Sequence, residues 1–338
     1  MYPDIPFWLS MVFMIGGFAL LAWSSDMFVG ASADFARAMG ISPFVVGMFV
    51  IGFGTSAPEL CVSVFSGVSD HANLSLGNAY GSCVFNIAVI LGVAAMIAPI
   101  VVKPLTALAA GPALAGLSLF SLWLLRDGEC GREDAAILLF AFAVAMPLYA
   151  WFDQKSKGLS EARDDGGQPR AISMRRTIPM LVAGLALLVA SAHVLVWGAV
   201  DFARFMNVSD LLIGLTIVAA GTSLPELASA VASARRGEHE FVLGNIIGSN
   251  LFNMLAVVGI ATAVSPVTAE NGGIAKSVLW RDLPLLAALS LSITLFGANW
   301  RHLRSNGRIS RIAAAVWLAA YAAYAVAMIC GELRAAKV

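Results

Sequence analysis

Apolar runs of about 20 residues alternate with short polar breaks along nearly the whole chain, and each run is long enough to cross a bilayer as a helix. Ten can be marked: near 7–33, 41–66, 73–98, 104–125 and 134–151, then 178–200, 208–233, 241–264, 278–297 and 310–330. The one hydrophilic segment of any length, Phe152 to Thr177, contains Asp164-Asp165-Gly166-Gly167-Gln168-Pro169 and reads as a flexible linker. It divides the chain into a first unit (1–152), a linker (153–177) and a second unit (178–338). The pattern predicts an all-α membrane protein of ten transmembrane helices.

The two units are copies. Asp34-Phe35-Ala36-Arg37 recurs as Asp201-Phe202-Ala203-Arg204, and Gly54-Thr55-Ser56-Ala57-Pro58-Glu59-Leu60 as Gly221-Thr222-Ser223-Leu224-Pro225-Glu226-Leu227. Gly77-Asn78-Ala79-Tyr80-Gly81-Ser82-Cys83-Val84-Phe85-Asn86 recurs as Gly244-Asn245-Ile246-Ile247-Gly248-Ser249-Asn250-Leu251-Phe252-Asn253. All three blocks share one shift of 167 residues (54 to 221, for example), the mark of a duplication. Five spans per unit is an odd number, so the second unit is expected to enter the membrane upside down relative to the first. With the N-terminus outside, all but seven of the 21 Lys and Arg residues fall on the inner side; the seven are Arg126, Arg132, Arg204, Lys276, Arg281, Arg334 and Lys337. The positive-inside rule therefore predicts an external N-terminus and a cytoplasmic linker.

Composition agrees. Of 338 residues, 59% are hydrophobic and 12% charged, and mean hydropathy is +0.83, too much apolar surface for a soluble domain of this length. Zero net charge gives no reason to expect a nucleic-acid partner; the lipid bilayer is the expected one. Cys61, Cys83, Cys130 and Cys330 have neither CxxC spacing nor clustering, so neither a disulfide framework nor a zinc site is expected, although Cys130 and Cys330 can fall on one side of the membrane. Met1 to Pro6 lacks a basic n-region, so the first run is expected to be a retained span.

Two features stand against this apolar background. Each heptapeptide puts one carboxylate, Glu59 or Glu226, where hydrocarbon would surround it, which by default marks a functional site. Pro58 and Pro225 lack an N–H, so the carbonyls of Gly54 and Gly221 are expected to lose their helical partners. Loosened carbonyls at membrane depth are tolerated only where they line a cavity or bind something. Together with the hydroxyls of Thr55, Ser56, Thr222 and Ser223, each copy offers hard oxygen donors. In the second block Asn78, Ser82 and Asn86 are spaced i, i+4, i+8 on one helix face, as are Asn245, Ser249 and Asn253. They serve either as further oxygen donors or as interhelical glue, and the pairs Gly77/Gly81 and Gly244/Gly248 would let helices approach closely.

An all-oxygen set with two carboxylates suits Ca2+, with Na+ able to share the ligands; Mg2+ demands tighter geometry, and zinc or copper would call for His or Cys. Two empty buried carboxylates would cost several kcal/mol per ion, so only a cation-loaded carrier is expected to change conformation. That amounts to obligatory exchange without an ATP motif or a cofactor.

These paired motifs resemble the two alpha-repeats of the sodium/calcium exchanger family, within the Ca2+/cation antiporter superfamily, as 52–60 with 77–92 and 219–227 with 244–259. The resemblance covers both units. It implies ten helices in two inverted five-helix repeats with broken helices at the ion site, and a plasma or bacterial inner-membrane antiporter, functional as a monomer, that exports Ca2+ in exchange for Na+. It implies Ca2+ ligation by Glu59 and Glu226 with the carbonyls of Thr55 and Thr222. Ser56, Ser82, Ser223 and Ser249 would bind Na+ with the carbonyls of Gly52 and Ala219, and Asn86 and Asn253 would complete the centre. Asn253, where some members have Asp, argues against K+ dependence, and Cys83, opposite Asn250, makes the half-sites chemically unequal. The short linker leaves no room for the regulatory domain of animal relatives and points to a prokaryotic form.

Other readings are weaker. H+ could replace Na+ as counter-ion, since protons also neutralise carboxylates. A membrane hydrolase would need a nucleophile–base pair or paired aspartates, and none is evident. A passive channel is disfavoured because strong two-carboxylate binding slows release. Asp26 and His193, equivalent by the same shift, could couple protons but differ in type, and are expected instead to sit near the interface or to bond locally. His71, His239 and His302 are expected in solvated loops, and Arg126 to Asp134 in a charged external loop with no evident partner.

Overall fold

The computed structural model describes residues 6–68, 72–157, 173–206 and 219–335. Helix α1 (Phe7–Met39) outruns its expected end because Asp34 and Arg37, three residues apart, pair on its exposed surface at 2.8 Å; the chain turns only at Gly40, in the left-handed region (φ 64). Ser42 accepts from the Val45 N–H and, with Pro43 in the first turn, starts α2 (Pro43–Thr55). A 41° bend separates α2 from α3 (Ala57–Val68). Helix α4 (72–97) contains a π-helical turn at Asn86–Leu91, and strand β1 (Ile100–Val102) follows it. Helices α5 (Pro104–Leu124) and α6 (Arg132–Lys157) complete the first unit.

In the second unit α7 (Met174–Phe205) is followed, beyond residues 207–218, by a single turn, Ala219–Gly221, and α8 (Leu224–Arg235). Helix α9 (His239–Val264) carries a π-helical turn at Phe252–Val257. Helix α10 (Val278–Gly297), strand β2 (Gly307–Ile309) and α11 (Arg311–Ala335) end the chain.

Among the described residues eight helices are long and apolar enough to span a membrane, and the bent α2–α3 pair gives a ninth. The span expected near 208–233 begins outside the described residues. So do His71 and the run Asp164 to Pro169. The expected linker is narrowed from both ends, since α6 runs to Lys157 and α7 starts at Met174.

Helices α4 and α9 form the centre, and α9 is almost wholly buried. Helix α9 packs on α2, α8 and the first half of α6, while α4 packs on α3 and α11 and α5 lies on α10. Outside them α1 and α7 lie along each other, with Gly17 against Leu195, Gly184 against Phe28, and the hydroxyls of Ser24 and Ser191 3.5 Å apart.

The two units are also tied at both ends of the bundle. At one end β1 pairs antiparallel with β2 (Ile100 opposite Ile309), Lys103 meets Glu240 at 2.5 Å, and Arg311 donates to the carbonyls of Met96 and Ile97. At the other end of α5, Cys130 and Val267 exchange backbone hydrogen bonds of 2.7 and 3.0 Å, and Glu129 Oε1 accepts from the Ala269 N–H. The 126–134 loop therefore does have a partner, contrary to expectation. Its ties run largely through backbone groups, which side-chain patterns do not reveal. His239 is another correction: it is the half-buried first residue of α9, because Gly237 (φ 73) turns the chain directly into the helix. His302 lies in an exposed loop as expected, and all four cysteines are free.

Candidate ion-binding site

Proline sets the local geometry of both acidic motifs. Helix α2 stops at Thr55, Ser56 forms the turn, and α3 restarts at Ala57 with Pro58 in its first turn. The Ser56 N–H still reaches the Gly52 carbonyl (3.2 Å), and the Leu60 N–H bonds to the Ser56 carbonyl (3.2 Å). In the second unit Thr222 and Ser223 form the turn, α8 starts at Leu224, and the Leu227 N–H bonds to the Ser223 carbonyl (3.0 Å). The helix is broken at the motif, as expected, and the chain starts a new helix there, placing each proline where its missing N–H costs nothing. Glu59 and Glu226 thereby sit in the first turns of α3 and α8, where the helix dipole favours a negative charge.

The acids are then crossed between units. The Ser56 hydroxyl donates to Glu226 Oε1 at 2.8 Å, and the Ser223 hydroxyl donates to Glu59 Oε1 at 2.9 Å. Both carboxylates are fully buried (0% exposed), and each keeps one oxygen, Oε2, without a hydrogen-bond partner among the described residues. No Lys, Arg or His among the described residues pairs with either acid.

Of the remaining expected donors, Ser82 and Ser249 have hydrogen-bond partners in the two motifs. Ser82 Oγ lies 3.5 Å from Ser223 Oγ, and the Ser249 hydroxyl donates to the Gly52 carbonyl at 3.2 Å. Thr55 spends its hydroxyl proton on the Ile51 carbonyl (2.9 Å) within its own helix. Asn86 donates to Asn250 Oδ1 at 3.0 Å, and Asn253 is fully buried with neither amide atom hydrogen-bonded among the described residues. Ala219 opens the short turn before the second motif.

Asn78 and Asn245 turn out to be glue. Asn78 Nδ2 donates to the Glu59 carbonyl (3.4 Å) and Ser63 Oγ (3.1 Å); Asn245 Nδ2 donates to the Glu226 carbonyl (3.3 Å) and Ser229 Oγ (3.1 Å). Each braces the turn that carries the acid. Ser63 and Ser229 were missed from sequence because they are one residue off the 167-residue register; the mismatch of Cys83 with Asn250 was legible, but not the bond that Asn250 accepts from Asn86. Asp26 does not bond locally: its carboxylate accepts from Arg236, at the end of α8 in the other unit, at 3.4 Å.

Among the described residues no three His, Cys, Asp or Glu side chains converge. The site consists of two acids and neutral oxygens, with unpaired carboxylate oxygens inside it. Such a set fits a hard cation that brings its own positive charge.

A family model described as "Sodium/calcium exchanger protein" matches residues 9–150 and 177–330. The chain belongs to the sodium/calcium exchanger family. Among the curated proteins similar to it, the putative antiporter CaxA of Alkalimonas amylolytica is 36% identical over 93% of this chain and 96% of its own. The inner membrane protein YrbG of Escherichia coli (strain K12) is 32% identical over 89% and 91%. A solved structure of the sodium-calcium exchanger NCX_Mj, soaked with zero Na+ and Ca2+, superposes with a TM-score of 0.76 at 29% identity, over 94% of this chain and 98% of that one. Like its family, the chain is an ion transporter and not an enzyme.

Proposed function

We propose that this exchanger-family member exports Ca2+ from the cell in exchange for Na+ by alternating access, with Glu59 and Glu226 as the shared cation site. The reciprocal pairing of Ser56 with Glu226 and Ser223 with Glu59 carries this reading, because it brings one buried acid from each unit into a single cluster. Ca2+ would take oxygens from both carboxylates and from the carbonyls of Thr55 and Thr222. Na+ would use the same carboxylates with Ser56, Ser82, Ser223, Ser249 and the carbonyls of Gly52 and Ala219, with Asn86 and Asn253 between the two half-sites. Sharing ligands makes the ions compete. Displacement by a competing cation then keeps the acids neutralised, while an empty site is held back by the cost of two buried charges.

Units 1–152 and 178–338 would be inverted five-helix repeats. An exchange of partners supports a two-fold relation, which an odd number of spans per unit would make an inverted one: Gly17 faces Leu195 while Gly184 faces Phe28, and the serine–glutamate pairs cross in the same way, each member displaced by 167 residues. A two-fold axis between the units generates such reciprocal contacts. The protein would sit in the inner membrane as a monomer, N-terminus outside and linker in the cytoplasm, in keeping with the bias of Lys and Arg.

The counter-ion is tested by radioactive Ca2+ uptake into proteoliposomes of the purified protein. Uptake is expected under a Na+ gradient at equal pH, and none under a pH gradient without Na+. The reverse pattern would make the protein a Ca2+/H+ antiporter of the same fold, and uptake under neither gradient would refute the proposal.

A further inference from the structure

The centre of the site breaks the symmetry of its surroundings. By the 167-residue shift, position 83 corresponds to 250 and position 86 to 253. Asn86 donates through Nδ2 to Asn250 Oδ1 at 3.0 Å. The reciprocal bond would run from Asn253 Nδ2 to an amide oxygen at position 83. That position holds Cys83, whose thiol donates instead to the backbone carbonyl of Asn250 at 3.7 Å. Asn253, at 0% exposure, is left with neither Nδ2 nor Oδ1 hydrogen-bonded among the described residues. Cys83 and Asn250 are fully buried too, and Ser82, next to Cys83 in the chain, has its hydroxyl 3.5 Å from that of Ser223, which donates to Glu59, so this cluster borders the carboxylates. Asn86 and Asn253 both lie on π-helical turns, Asn86–Leu91 and Phe252–Val257, a distortion found frequently at functional sites.

We infer that Asn250 is a positioning residue for the transported cation: it holds the Asn86 amide in one orientation, while Cys83 leaves the Asn253 amide free to turn. The inference rests on the reading of the carboxylate pair as the cation site. A cation then meets one preset carboxamide oxygen, next to Asn86 Nδ2, and one that it must orient itself. Fixing a side chain in advance spares its ordering cost on binding, worth about two- to tenfold in affinity. The pair at 83 and 250 thus tunes affinity through Asn86 and Asn253.

The test is the Ca2+ concentration dependence of uptake into proteoliposomes. Asn250→Ala releases Asn86 and is expected to raise the half-saturating Ca2+ about two- to tenfold, with the maximal rate held within about a factor of two. Cys83→Asn supplies the missing acceptor for Asn253 and is expected to lower it by a similar factor; Cys83→Ala, which adds no acceptor, does not. The exchange Cys83→Asn with Asn250→Cys moves the anchor to the other half and brings half-saturation back toward wild type. Because Cys83→Asn enlarges a buried side chain, each variant is first checked by size-exclusion chromatography, and Asn250→Ala decides the matter by itself if Cys83→Asn does not fold. A wild-type half-saturation in Asn250→Ala, or a fall in its maximal rate alone, would overturn the inference while leaving the cation site standing. A wild type that takes up no Ca2+ would overturn both.

Discussion

Glu59→Gln and Glu226→Gln are each expected to abolish Ca2+ transport while leaving a folded protein. Each substitution keeps the shape and one carbonyl oxygen, so the hydroxyls of Ser223 and Ser56 retain an acceptor (2.9 and 2.8 Å in the wild type). What is lost is one of two negative charges in a fully buried cluster that no basic side chain among the described residues balances. Removing one partner of a buried charge interaction costs about 3–5 kcal/mol, which lowers cation affinity more than a hundredfold. The apo protein gains stability in the same step, because one uncompensated charge leaves the interior. The variants should therefore unfold at a temperature no lower than the wild type without ions. They should also lose the stabilisation that Ca2+ gives the wild type. Thermal unfolding with and without Ca2+, beside the flux assay, checks both halves of the prediction.

The second large effect is mechanical. Gly248→Leu is expected to prevent folding or leave a protein without transport. Even a Cβ at Gly248 would lie 2.5 Å from the Met48 carbonyl oxygen and 2.7 Å from the Met48 Cα. Those are backbone atoms of α2, so no rotamer change relieves the clash and the two helices must separate. Overpacking of this kind costs about 1–3 kcal/mol at ordinary core positions, and more where backbone must move. Separation would also pull the Ser249 hydroxyl from the Gly52 carbonyl (3.2 Å), next to the acid-bearing break. Gly116→Leu, on the exposed face of α5 with nothing within 4 Å of a Cβ among the described residues, is the matched control. Size-exclusion profiles of the two variants decide: monodisperse Gly248→Leu with wild-type flux would show that α2 and α9 do not need this close approach.

Much of the fold was legible because lipid imposes a simple rule: a backbone crossing hydrocarbon must satisfy its own hydrogen bonds over about 20 apolar residues. The ends of the helices were less legible. Asp34 and Arg37 look like the polar edge of a loop, yet three-residue spacing lets them pair on a helix surface, and α1 continues to Met39. The acids and hydroxyls of the site stood out because each occurs twice at one register. Which hydroxyl meets which acid was not legible, since the crossing of Ser56 to Glu226 depends on how the units face each other. Duplication also hid things. Ser63 and Ser229 brace Asn78 and Asn245 from positions one residue out of register, where a search by repeat finds nothing. The mismatch of Cys83 with Asn250 was visible, but its consequence for Asn86 was not. Gly77 and Gly81 mark the opposite limit: their counterparts Gly244 and Gly248 press on α2, but the segment equivalent to α2 lies largely within residues 207–218, outside the described residues.

The central claim is that acids from both units make one cation site. Calorimetric titration of Ca2+ into the purified protein and its two single variants tests it most directly. The account predicts saturable binding to the wild type, competed by Na+, and its loss in Glu59→Gln and in Glu226→Gln alike. Wild-type Ca2+ binding retained in either variant would mean that the two acids do not share an ion, and would contradict it.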